Sequence, residues 1–442
     1  MKTYKPYIIA SLIICIAGFG FWFFNSYGEC AKPAIGIDQE ISAIGRYKAI
    51  NIIFTDMKSG LRNTTVTITQ DNKAQALSSI DYSDSITKET AVSVAIDPIT
   101  MKLHDGPAIL TLSATDNSLW KNQTTLIRQV NIDMTPPQIF LLTSTNNINP
   151  GGTCVIVYRT SKPVVSTGVR VENHFSPGFP TTISDKPCII SYFALPIEAG
   201  TGGMNIKVTA QDQAGNETSV VLPRLIRSKK FRSDKMMMSD NFLQQKMPEF
   251  QSSNPSLQGK TAIEIFTYVN GKMRGDNDKT IREICQKSHP KQLWEGTFLR
   301  MKDAAPMALF GDKRTYQYQG KAIGESTHMG VDLASTANAP VEPANHGIVT
   351  YTGYLGIYGN IVIVDHGLGF FTLYGHLNSI NVKAGQEVKK GDVVGRTGTS
   401  GLAGGDHLHF GMIVGGQFVN PQEWWDPHWI ADNVSKKTAV SF

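Results

Sequence analysis

Residues 404–412 read GGDHLHFGM, two histidines flanking one leucine among glycines and apolar side chains. In a β-strand alternate side chains share a face, so His407 and His409 point one way while Leu408, Phe410, Met412 and Val414 point the other. One face is core and the other is histidine. Gly411, next on the histidine face, leaves room beside the pair, and Gly415 and Gly416 turn the strand back into QFVNP as a tight hairpin.

A single HxH is weak evidence for chemistry. Its weight comes from THMGVD at 327–332, where His328 and Asp332 supply two further ligands for a zinc site of two histidines and a carboxylate. Gly330 and the alternation of Val331 and Leu333 read as a loop entering a strand rather than as a helix. A third piece is FTLYGHL at 371–377, in which Thr372, Tyr374 and His376 alternate onto one face and end in a histidine.

HxxxD, the YGHL strand and HLHF, in that order, resemble the LytM/lysostaphin-type zinc endopeptidases of family M23, which cut peptide bonds in bacterial peptidoglycan. The supporting text GVDLAS, APVEPANHGIV, YGNIVIVDHG, VKKGDVVGRTGTSG and FVNPQEWW belongs to the same likeness, which covers residues 300–427. The resemblance implies an antiparallel β metallopeptidase domain, His328, Asp332 and His409 as zinc ligands, and His407 and His376 as unligated catalytic histidines. Tyr374 and Asn360 follow as second-tier candidates. The glycine-rich GTSGLAGGD before the HxH departs from the shorter loop of many relatives and would shape the groove for a small-residue peptide.

Zinc held by two neutral imidazoles and one carboxylate keeps a net positive charge and an open position, so a zinc-bound water ionises near neutral pH and becomes the nucleophile. His407 and His376 are then available to take the water's proton, stabilise the oxyanion or protonate the leaving amine. The sequence does not divide those roles, although His407, nearest to His409, is favoured as base. The remaining histidines, His104, His174, His289, His346, His366 and His428, show no partner pattern.

Around this domain the 442 residues have room for several folded units. Hydrophobic residues make up 41% and charged ones 18%, which excludes long disorder, and a net charge of +5 gives no case for nucleic acid. Two lysines precede an uncharged apolar run, Tyr7 to Phe24, so residues 1–28 read as a retained transmembrane anchor with everything beyond exported. A cleaved signal peptide is the rival reading, but no small-x-small site follows. The chain is expected at a bacterial cytoplasmic membrane, its C-terminal domains in the periplasm or outside the cell.

Residues 31–225 read as short alternating strands. LTLSATD at 110–116 repeats as IKVTAQD at 206–212, each followed by a polar turn, which suggests two β-sandwich domains, 31–136 and 137–225, parted at Pro136 and Pro137. They resemble bacterial immunoglobulin-like modules and suit spacers or docking sites for envelope proteins. Cys154 and Cys188 read either as a disulfide between neighbouring strands or as two buried thiols. The basic run RLIRSKKFRSDK at 224–235 reads as a solvated linker, with anionic lipid or wall polymer as the sharper alternative. Residues 239–299 then turn helical: Ala262, Ile265, Phe266, Val269 and Met273 keep three- and four-residue spacing, as do Ile281, Ile284 and Cys285 after a cap-like Asp276 and Asn277.

The functional expectation is a membrane-anchored zinc metalloendopeptidase acting on peptidoglycan stem peptides or cross-links. The alternative is a catalytically restrained protein of the same fold that binds peptidoglycan or activates another wall hydrolase, with the helical lead-in bracing the domain or covering its groove.

Overall fold

Alternation governs the strands of this chain: in Lys48–Thr55, Ile50, Ile52 and Phe54 are fully buried while Ile53 between them is exposed. The computed structural model describes the backbone of residues 5–28, 30–143, 147–200 and 204–439, and the side chains of these other than 5–10 and 25–27. The fold is mainly β, with two compact units: 1–137 with 162–165 and 211–218, and 138–161, 166–210 and 219–442.

In the first unit a helix α1 (Lys5–Tyr27) precedes two sheets. A sheet of Ala34–Ile37, Lys48–Thr55 and Glu89–Ile96 faces a five-stranded one centred on Gly106–Asp116 and Leu61–Gln70, and side chains of both, such as Phe54, Val94, Ile68 and Leu112, form one core. The repeated aspartate explains itself here. Asp116 accepts from Ser118 at 2.7 Å and from Asn122 Nδ2 at 2.8 Å, closing the polar turn after its strand, and Asp212 accepts from Asn216 N at 2.9 Å in the same way. The membrane span expected over 1–28 falls partly on side chains outside the described residues. Among the described residues no helix is long and apolar enough to cross a membrane.

The second unit joins strands of the second repeat to everything that follows. Lys186–Ala194 pairs with Thr153–Thr160, and its Tyr192 shares a core with Trp294, Phe298, Phe370 and Trp424. Tyr192 and Phe370 meet edge to face at 4.7 Å, Trp294 and Trp424 at 5.4 Å. The possible disulfide is absent. Among the described residues none of the five cysteines forms a disulfide, and Cys154 stands opposite Phe193, five residues and roughly 17 Å along the strand from Cys188.

The basic run is not wholly a solvated linker. Its end enters a strand, Ser233–Met237, parallel to Lys313–Tyr318. Three helices follow: α2 (Asp240–Ser253), capped by the Ser239 side chain on Phe242 N, α3 (Ala262–Tyr268), with a Thr261/Glu264 capping box, and α4 (Arg274–Ile284). Asp276 and Asn277 do not cap a helix as expected. The chain runs from α3 into α4 through a π-helical turn, Val269–Met273, and the buried Asn277 Oδ1 accepts from Ile357 N at 2.9 Å instead.

The largest sheet runs in the order Ala305–Ala308, Val331–Ala334, Leu408–Val414, Phe370–Leu377, Asn360–Gly367, Gly347–Tyr354, Glu387–Val388. The predicted hairpin forms: Val414 pairs with Gln417, and Gly415 and Gly416 take φ of 56° and 80°, a turn in which glycine carries no steric penalty.

Candidate metal centre

Val331–Ala334 and Leu408–Val414 are antiparallel neighbours with Asp332 directly opposite His409, flanked by the pairs Val331/Phe410 and Leu333/Leu408. Opposed residues share a face, so burying those four apolar side chains in the core turns the carboxylate and the imidazole together onto the other side. His328 enters from the loop just before. His328 Nε2 and His409 Nδ1 each lie 2.9 Å from Asp332 Oδ1 and 3.1 Å from one another. Gly330 makes this approach possible, since a Cβ there would sit 2.6 Å from both His409 Cε1 and Phe410 O.

The donor set suits a cation. His328 Nδ1 lies 3.0 Å from the Leu309 carbonyl, which can only accept, so in the neutral ring Nε2 is left bare and faces a carboxylate oxygen. His409 engages the cluster through Nδ1, its buried Nε2 having no hydrogen-bond partner among the described residues. Burial, only partly offset by Asp332, holds His409 down at about 4, in the neutral form a metal requires. Burial would raise Asp332, but the charges and hydrogen bonds of His328, His407 and His409 hold it well below the usual carboxylate range. Among the described residues, His328, Asp332 and His409 form the group placed to hold a metal ion, their ligand atoms all within 4.8 Å of one another.

His407 and His376 stand beside this cluster. His407 Nδ1 donates to Gly405 O at 2.7 Å, leaving Nε2 bare 3.6 Å from Asp332 Oδ1. His376 Nδ1 donates to Ser400 O at 2.8 Å, and its ring centroid is 4.8 Å from that of His407. Burial pulls His407 down, yet its bond to Asp332 outweighs this and raises it, whereas burial and then the neighbouring His407 and His409 hold His376 well below its ordinary value.

Two expectations about faces are corrected. Thr372, Tyr374 and His376 do not share one: Tyr374 pairs with Phe410 on the core side, where its hydroxyl accepts from Ala344 N at 2.6 Å, remote in role from the cluster. His376 reaches the cluster because its φ of 61° breaks the two-residue alternation. Nor does Gly411 leave room, because a Cβ there would meet Phe418 at 3.2 Å and Leu373 at 3.4 Å. Asn360, the other second-tier candidate, supports rather than lines the site. Its N–H donates to Ser400 Oγ and its Nδ2 to Leu377 O, at 2.9 and 3.0 Å.

Four contributors were not singled out from the sequence, although Tyr358 and Ser400 lie within the quoted YGNIVIVDHG and VKKGDVVGRTGTSG. Arg314 Nη2 lies 3.2 Å from Asp332 Oδ2. Ser400 holds His376 by its carbonyl and donates its hydroxyl to Leu377 O at 2.8 Å. Tyr358 sets its ring 5.4 Å from that of His409 and donates to Asp278 Oδ1 on α4 at 2.8 Å. Glu249 on α2 accepts from Gly401 N and Tyr354 at 3.1 and 2.9 Å, while Lys246 donates to Thr399 O, so α2 grips the loop that carries Ser400. The other six histidines stay outside the metal cluster. His366, for example, is buried between His346 O and Thr372 Oγ1, at 2.7 Å from each, and burial lowers it to about 4.

Residues 326–421 match the family model described as peptidase family M23. Over 94 residues the chain is 39% identical to the DD-carboxypeptidase/endopeptidase Mpg of Neisseria meningitidis serogroup B, covering 21% of this chain and 22% of that protein. Over 115 residues it is 37% identical to the peptidoglycan DD-endopeptidase ShyA of Vibrio cholerae, covering 26% of each. The chain thus spans about a quarter of the length of these curated relatives. Among solved structures, a zinc containing peptidase from Vibrio cholerae aligns with 14% identity and a TM-score of 0.28, covering 72% of this chain and 80% of that one. Residues 326–421, which contain the paired strands of Asp332 and His409, are thus the part of this chain that is similar to peptidase family M23.

Proposed function

We propose that this chain is a membrane-anchored zinc metalloendopeptidase that hydrolyses peptide bonds in peptidoglycan stem peptides or cross-links. The observation that carries the reading is the convergence of His328 Nε2, Asp332 Oδ1 and His409 Nδ1 beside two histidines whose Nε2 atoms are bare. The DD-endopeptidase names of the relatives support peptidoglycan as substrate. Two imidazoles and a carboxylate suit zinc.

His328, Asp332 and His409 would hold the zinc, which when bound supplies Lewis acidity toward a scissile carbonyl and makes a water acidic enough to attack near neutral pH. The chain's own residues handle the protons. His407, its Nδ1–H committed to Gly405 O, takes a proton at Nε2 as general base, and Asp332 beside it stabilises the imidazolium formed. His376, its Nδ1–H committed to Ser400 O, presents a bare Nε2 that can donate to the oxyanion or the leaving amine only after it has taken up a proton there, one the attacking water releases.

The anchor is α1. Its 23 residues rise about 34 Å, against a hydrocarbon core of about 30 Å, and Leu12, Ile14, Phe19 and Trp22 are exposed along it. That topology leaves the peptidase on the outer side of a bacterial cytoplasmic membrane, with the sandwich strands, read as immunoglobulin-like, as spacers or docking sites for envelope proteins.

One observation favours the restrained alternative. The side chains of His328, Asp332, His376, His407 and His409 are only 5% to 15% exposed. Digestion of cross-linked peptidoglycan by the purified chain, with and without chelator and alongside His407→Ala, tests the proposal. Loss of dimeric muropeptides that needs both metal and His407 is the expected result; an inert protein that is folded and loaded with zinc would abandon it for the binding or activating role.

A further inference from the structure

Three connections meet at one end of the first sandwich. Residues 56–60 lead into Leu61–Gln70, 82–88 join Lys73–Asp81 to Glu89–Ile96, and 117–122 join Gly106–Asp116 to Gln123–Ile132. The pairs Thr55/Glu89, Leu61/Asp116 and Thr115/Gln123 bring them to the same edge. Leu61 N donates to Thr87 O at 2.7 Å and Asn117 N to Gly60 O at 2.8 Å, lacing the three together.

Each tip exposes a large apolar side chain with a lysine just after it: Met57 (67% exposed) and Lys58, Ile86 (73%) and Lys88, Leu119 (50%) and Trp120 (62%) and Lys121. Single exposed apolar residues are ordinary; four on adjoining tips form a patch that calls for a partner.

The course of the chain says what that partner is. Ala31 O accepts from Asn122 Nδ2 at 3.2 Å and Pro33 O from Thr124 Oγ1 at 2.5 Å, so the entering segment is pinned to the third connection. Ala34 pairs with Thr55 at the same end, and the last strand leaves at the other, at Ile132. Helix α1 stops at Tyr27. The four steps from there to Ala31 reach at most about 14 Å.

We propose that this end of the first sandwich docks on the bilayer that holds α1, with Met57, Ile86, Leu119 and Trp120 dipping into the boundary between headgroups and acyl chains. The inference rests on the anchoring of α1 proposed above. Tryptophan favours that boundary, and Lys58, Lys88 and Lys121 are set to meet lipid phosphates. Exposed acids, Asp81, Asp84 and Glu89, stand at the same end, so apolar insertion rather than net charge carries the docking. It survives high salt.

The test uses the full chain reconstituted in liposomes whose lipids are brominated near the headgroup, with tryptophan emission compared among the wild type, Trp120→Phe and Trp22→Phe. Both side chains are exposed, so neither substitution threatens the fold. The expected result is that each variant loses part of the bromine-quenched emission, at low and high salt alike. Protein that floats with the liposomes and loses quenched emission only in Trp22→Phe overturns the docking while the anchor stands, and leaves the tips to a protein partner. Protein that does not float overturns both.

Discussion

Arg314 Nη2 lies 3.2 Å from Asp332 Oδ2, and the other oxygen of that carboxylate, Oδ1, is the one that faces His328 and His409. The guanidinium thereby decides which oxygen is offered to a metal and keeps the carboxylate to one contact. Arg314→Met should weaken zinc binding about 10- to 100-fold without unfolding the protein. Competition against a chromophoric chelator reads this directly, and an unchanged affinity would mean that the core pairs alone orient Asp332.

His376 occupies a backbone conformation that favours glycine, at φ 61°. Urea unfolding should therefore find His376→Gly more stable than His376→Ala by about 1 kcal/mol. Both variants should keep the metal and lose activity by roughly a hundredfold or more. An alanine variant as stable as the glycine one would show that the backbone relaxes once the imidazole is gone.

Loosening α2 separates the two functional readings. With Lys246→Ala and Glu249→Ala together, the loop at 399–401 loses its ties to the helix, and with them the fixed position of the Ser400 carbonyl that holds His376. The expected outcome is a fall in kcat on the order of tenfold with zinc content unchanged. A rise would identify α2 as a restraint on access.

Glu423 is buried where it accepts from Asn149 Nδ2 at 3.0 Å and Thr153 N at 2.9 Å, and burial outweighs both bonds to push its carboxyl up to about 7. Between the unfolded value near 4.5 and that figure, the native state binds more protons than the unfolded one. The contribution of Glu423 to stability is therefore full below 4.5 and is lost as pH climbs through 7, by roughly 3 kcal/mol in all. Glu423→Gln should flatten this slope in melts across pH 5 to 8.

What the sequence disclosed followed from its regular periods. The two-residue alternation of 407–414 correctly joined His407 to His409 and opposed both to the core. The same rule failed at His376, where a single left-handed residue moves a side chain to the other face, and nothing in YGHL marks that. Gly411 looked like space because a glycine's emptiness is visible in a sequence while the ring that fills it, Phe418, is not. Arg314 lies outside every quoted stretch, Ser400 and Tyr358 lie inside two of them without a role of their own, and all three become meaningful only when hairpin, loop and helix are folded around the sheet. The cysteines misled for a related reason: neighbouring strands were foreseeable, but their register, with Cys154 opposite Phe193, was not.

The aromatic cluster of the second unit bears on how this chain can be handled. Trp424, just beyond the family match, packs against Tyr192, Trp294, Phe298 and Phe370, so part of the interior under the largest sheet is supplied by segments well upstream of it. Such a domain is not a portable cassette. A chimera built by grafting residues 300–427 onto another carrier would expose Phe370 and Trp424, and a successful transplant has to bring its upstream lining with it.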